Sequence, residues 1–110
     1  MLSPTSLIKG KTIENVKEDF RGAERVEQYR LGKAALYLPR GLQWDYVPYA
    51  AILRAERAHR IISAGHCVTV REEKPAVDLF MEGETLTLNL EKQESARRIL
   101  ELIPGGEAEE

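Results

Sequence analysis

The chain has 110 residues, a single cysteine and a formal net charge of −2 at neutral pH. That length makes one domain, able to bury a core without metal or disulfide support. The charge balance offers no overall attraction to nucleic acid or to an anionic membrane. The lone Cys67 excludes an internal disulfide, and no apolar run approaches the roughly 18 residues of a membrane-spanning helix.

Residues 1–11 read as a loose leader. Met1-Leu2-Ser3-Pro4 has no charged segment followed by an apolar one, so no secretory signal is expected and the chain reads as cytoplasmic. Thr12 is placed to cap a short helix with Ile13, Val16 and Phe20 on one side and Gly22 past its end. Residues 1–23 form this leader, and 24–103 form the domain proper. Arg25 to Leu31 is expected as a first strand, although its alternation is poor, with a turn at Gly32-Lys33. Ala34 to Leu38 is a better strand, with Ala34, Leu36 and Leu38 on one face. Pro39-Arg40-Gly41 is expected to end it. Gln43 to Val47 returns, with Trp44 and Tyr46 on one side, and Pro48 restricts pairing there.

Residues 50–62 carry two conflicting signals. On propensity they form a helix, since Ala51, Ala55, Ala58 and Ile62 recur at helical spacing between Pro48 and Gly65. Context favours a strand, because the segment lies between two runs of strand character with little linker. We take the strand, with the helix left open.

Residues 66–73 return to alternation, with Val68 and Val70 inward, and Lys74-Pro75 is expected as a turn. The next segment nearly spells out a hairpin. A two-residue turn at Gly83-Glu84 pairs Met81 with Leu86, Leu79 with Leu88 and Val77 with Leu90. All six then share one face, while Asp78, Phe80, Thr87 and Asn89 line the wetter one. A closing helix follows over about 92–103. Ala96, Ile99, Leu100 and Ile103 form its apolar stripe, and Glu94 stands four residues before Arg98 for an ion pair. Pro104-Gly105-Gly106 stops it, and 104–110 is expected to be a mobile acidic tail.

The expected architecture is therefore mainly β, of the α+β class. Three stretches resemble a bacterial pleckstrin-homology-like (PH/GRAM) domain: Ala35-Leu36-Tyr37-Leu38-Pro39, Tyr46-Val47-Pro48-Tyr49-Ala50-Ala51-Ile52, and the terminal hairpin with its helix. The resemblance spans residues 24–103. It implies a partly open barrel of about seven antiparallel strands, with the C-terminal helix plugging one end. It also implies two uses, headgroup binding between the first two strands and docking of proteins or peptides. The first needs clustered Lys and Arg. This chain offers Arg30 and Lys33 there and no Arg-x-Arg in the second strand, so lipid binding is doubtful.

Chemical motifs are sparse. His59, His66 and Cys67 do not have the spacing of a structural zinc site, and no nucleophile, phosphate loop or carboxylate pair is recognisable. No catalytic residue, metal or cofactor is expected. Two stretches are candidate binding surfaces. Trp44, Tyr46 and Tyr49 form a recognition patch if exposed, and ordinary core packing if buried. Arg54, Arg57 and Arg60 form the densest basic stretch. On a strand, Arg54 and Arg60 share a face that Arg57 opposes. The expected function is a non-catalytic docking module with a protein partner or a second copy of itself through an open sheet edge. The alternative is a peripheral binder of anionic lipid or phosphate using the arginines.

Overall fold

A computed structural model describes residues 3–8, 10–63 and 71–103. Val68, Val70, His66, Cys67 and the acidic tail 104–110 lie outside the described residues.

Short alternating segments build two sheets. The first contains β1 (Thr5–Ser6), β2 (Glu24–Val26), β3 (Tyr29–Leu31), β4 (Ala35–Arg40) and β5 (Gln43–Pro48), in the order β1-β5-β4-β3-β2. Its strands run antiparallel except β1, which lies parallel to β5. A 3-10 turn at Tyr49–Ala51 leads into the second sheet, an antiparallel set of β6 (Ile52–Ser63), β7 (Arg71–Met81) and β8 (Glu84–Asn89) in sequence order. Helix α1 (Val16–Arg21) precedes β2, and helix α2 (Gln93–Leu102) follows β8. The fold is mainly β with a C-terminal helix, and the two sheets are not closed into a barrel.

The main core lies between the sheets and under α2. Leu31 stands opposite Leu36, and Leu36 opposite Val47, on the first sheet. Val77 and Leu79 stand opposite Leu88 and Leu86 on the second. Ala96, Ile99, Leu100 and Ile103 fill the remaining side, and Ile99 is fully buried. The apolar stripe of α2 therefore faces inward as its spacing predicts. Burying a side chain such as Ile99 contributes roughly 1.5–3 kcal/mol. A smaller cluster of Phe20, Ala35, Tyr37 and Tyr46 lies on the opposite face of the first sheet, with Ile13, Val16 and Trp44 against it.

Residues 52–63 are a strand. Ala55 stands opposite Leu79 and is fully buried, while Glu56 stands opposite Asp78 and is half-buried. The helical stripe of alanines is thus divided between two faces. Ladder partners along β7 override local propensity here.

Several expectations are corrected. The segment 25–31 is not one strand, because Glu27 adopts a positive φ of 55° and a turn at Glu27-Gln28 separates β2 from β3. Its carboxylate is held by distant amides, which stabilises that backbone. Pro39 and Arg40 continue β4, and the turn falls at Gly41-Leu42. The β3–β4 pairing reaches only to Arg30, opposite Tyr37, so among the described residues β4 has a single strand neighbour at Pro39. Lys74 and Pro75 are not a turn but lie within β7. The Pro75 carbonyl accepts from the Leu90 amide just past β8. A strand residue's N–H and C=O point the same way, so the missing donor falls where β8 has already ended.

The hairpin turn is Glu82-Gly83, and Gly83 supplies the positive φ at its second position. The pairs become Leu79 with Leu86 and Val77 with Leu88. This shift of two preserves the predicted faces, because side chains alternate with period two. Asn15, not Thr12, is the N-cap of α1. The leader is also tied down: β1 pairs with β5, and the Leu7 amide donates to the Tyr46 carbonyl at 2.8 Å. Finally, Arg98 pairs with Glu24 and Glu101 rather than with Glu94.

Candidate functional site

The aromatic patch is largely internal. Tyr46 is 3% exposed and Tyr49 8%, while Trp44 is half-buried. Tyr37 lies edge-on to Phe20 at 5.0 Å, and Phe20 contacts Trp44 at 5.1 Å. The Arg30 guanidinium stacks 4.8 Å over Phe20 and 5.1 Å over Trp44. The Tyr49 hydroxyl donates to the Gly32 carbonyl at 2.7 Å, and the Ile13 amide donates to the Tyr46 hydroxyl. Burial lifts the Tyr49 hydroxyl well above its ordinary value. Tyr46 and Tyr49 thus spend their polar ends on internal partners, and the leader covers the face that Trp44 belongs to.

The arginines sit on β6, one edge of the second sheet. Arg54 stands opposite Phe80, and its guanidinium stacks 4.2 Å over that ring while its Nε meets Glu56 at 2.6 Å. Arg57 stands opposite Val77 on the other face. It is exposed, and no carboxylate pairs with it among the described residues. The Arg60 backbone continues the strand opposite Lys74, and its side chain is not among those described. Arg54 and Arg57 therefore do not converge on one ligand.

What β6 does present is an edge. It pairs with β7 on one side, and no strand adds to its other side among the described residues. Edge strands leave a row of backbone donors and acceptors available for another chain. Between Ile52 and Arg54 the register shifts by one residue, which leaves Leu53 outside the ladder and 71% exposed. His59 is exposed further along. Leu53 was not singled out from the sequence. Its only signal there is membership of an apolar pair at the start of the strand, and the bulge that exposes it has no sequence marker.

Two polar nodes tie segments distant in sequence to the first sheet and to α2. Asp19 on α1 accepts from the Lys33 amide at 2.8 Å, the Ala34 amide at 3.2 Å and the Tyr37 hydroxyl at 2.8 Å. Burial, then the hydrogen bond to Asp19, raises the Tyr37 hydroxyl far above its usual range. At the opposite corner the Glu27 carboxylate accepts from the Glu91 amide at 2.9 Å and the Lys92 amide at 3.1 Å, just ahead of α2. Both are structural latches between segments distant in sequence.

Among the described residues, no group of three His, Cys, Asp or Glu is arranged to hold a metal ion, and no helix is long and apolar enough to cross a membrane. Compared with known proteins, the chain matches no family model, no curated protein and no solved structure.

Proposed function

We propose that the protein is a non-catalytic docking module of the PH-like kind, whose β6 edge receives an extended segment of a partner protein. The observation that carries this reading is the edge itself: Ile52–Ser63 pairs with β7 on one side and, among the described residues, with no strand on the other. Strand addition draws affinity from main-chain hydrogen bonds and specificity from alternate side chains. Leu53 and Arg57 are exposed on that strand and supply such side-chain contacts. Strands β2 to β8 in two antiparallel meanders, followed by one helix, support the PH-like comparison. The placement of Arg54 and Arg57 on opposite faces of β6 favours the docking reading over a lipid site built from that pair.

Amide hydrogen exchange across β6 tests the reading. Short extended peptides of varied sequence, added to the whole chain, are expected to slow exchange at residues 52–59, and Leu53→Lys is expected to weaken this. Protection confined to other elements, or flotation with anionic vesicles in place of peptide binding, overturns it.

A further inference from the structure

We infer that the strand received by β6 is acidic, with a carboxylate set against Arg57 and an apolar side chain near Leu53. The inference rests on the docking reading above and names the chemistry of its partner.

Charge along the edge is the first reason. The chain as a whole is net negative, yet β6 holds three arginines and a single glutamate. The only acid of the strand, Glu56, is already engaged with Arg54. Arg54 is further occupied by the Phe80 ring. Arg57 has neither kind of neighbour: its ladder partner is the apolar Val77, and no described carboxylate reaches it. An exposed guanidinium on a strand edge is placed to meet a side chain directly opposite on an added strand.

The second reason concerns the competing occupant. A second copy of this chain would bring the same cationic strand to the same edge. A two-fold pairing centred on Arg57 sets that residue against its own image, and a pairing shifted to set it against Glu56 meets the one acid of the strand, which Arg54 already holds. Like charges directly opposite in a sheet are destabilising. An acidic strand inverts the sign of every such contact. Leu53 adds a local apolar requirement at the bulge, where 71% of its surface is open.

The test uses the whole chain and three blocked peptides, in which valine alternates with glutamate, glutamine or lysine. Binding is followed by exchange protection of the 52–59 amides. The glutamate peptide is expected to bind about fivefold more tightly than the glutamine peptide at low salt, with the difference shrinking as salt rises. Arg57→Gln is expected to abolish that difference while leaving the thermal midpoint unchanged, and Arg57→Glu to favour the lysine peptide. Equal binding of the glutamate and glutamine peptides at β6 overturns the acidic partner and leaves the docking edge standing. Protection of β6 by none of the three removes both. Protection that grows with protein concentration in the absence of peptide assigns the edge to a second copy and also overturns the inference.

Discussion

Arg98 on α2 and Glu24 on β2 are 74 positions apart and share two parallel hydrogen bonds, Nε to Oε2 and Nη2 to Oε1, each 2.7 Å long. The fork-to-fork geometry joins the last helix to the edge strand of the first sheet, and Arg98 also reaches Glu101 at 3.1 Å. Hydrogen bonds from Arg98 hold the Glu24 carboxyl below its ordinary value of 4.5, and Glu24 and Glu101 in turn raise the Arg98 guanidinium.

This pair predicts an acid-sensitive corner. A depressed folded pKa means that the ionised carboxylate stabilises the fold above its ordinary value. That stabilisation is lost as the pH falls through the lower folded value. Thermal melts of the parent and Glu24→Gln should differ at neutral pH and converge in strong acid. A difference that persists unchanged below the Glu24 titration would show that the charge is not the cause. Both groups are exposed, so the effect at neutral pH is small.

Gly32 gives a sharper prediction. A Cβ built there would lie 2.1 Å from Asp19 Oδ2, 2.6 Å from its Cγ and 2.9 Å from its backbone oxygen. Gly32→Ala must therefore push Asp19 off the amides of Lys33 and Ala34 and off the Tyr37 hydroxyl. The expected loss is about 2–4 kcal/mol in chemical denaturation. Gly22→Ala is the control, since its nearest contact would be an ordinary 3.7 Å. Equal stability of the two variants would mean that the Asp19 latch contributes nothing.

Glu27 separates two effects at one position. Its carboxylate caps the amides ahead of α2, and its backbone sits at φ 55°, which costs a side-chain-bearing residue roughly 1 kcal/mol or more. Glu27→Ala loses the cap and keeps the strain. Glu27→Gly loses the cap and relieves the strain. The glycine variant should be about 1 kcal/mol more stable than the alanine variant by urea denaturation. The reverse order would place the turn's conformation, not the cap, in doubt.

Tyr37 and Tyr49 predict the alkaline limit. Burial, foremost, holds both hydroxyls protonated above their ordinary value of 10.0. Stability from these groups is fully present below that value and declines as the pH rises above it, because the unfolded chain releases protons that the folded chain retains. Urea midpoints measured from about pH 9 to about pH 11 should fall in the parent. They should fall less steeply in the Tyr37→Phe, Tyr49→Phe double variant, whatever its starting stability. Parallel slopes would exclude the two tyrosines as the source.

The period-two alternation of Val77, Leu79, Leu86 and Leu88 and the helical stripe of Ala96, Ile99, Leu100 and Ile103 were legible in the sequence, because each depends only on local geometry and on burial of one face. The same local reading found the strands around Leu36 and Val47. It did not find the hairpin register, since shifting the turn by two residues leaves every face unchanged. It also placed Arg98 with Glu94, one helical turn away, when folding brings Glu24 into a bidentate geometry.

The candidate site was legible only in part. The arginines of β6 stood out by density, and their division between two faces follows from alternation alone. The edge itself depends on which strands pair, and Leu53 is exposed by a bulge that only the ladder with β7 produces.

Local periodicity, in the end, determined which side chains face inward on the β7–β8 hairpin and on the closing helix. Tertiary structure decided the rest: that 52–63 is a strand, that Glu27 breaks 25–31 into two, and that β6 lies at an edge. Those outcomes depend on contacts between residues far apart in the chain. Neither propensity nor spacing carries the free energy of a partner that has not yet been brought alongside.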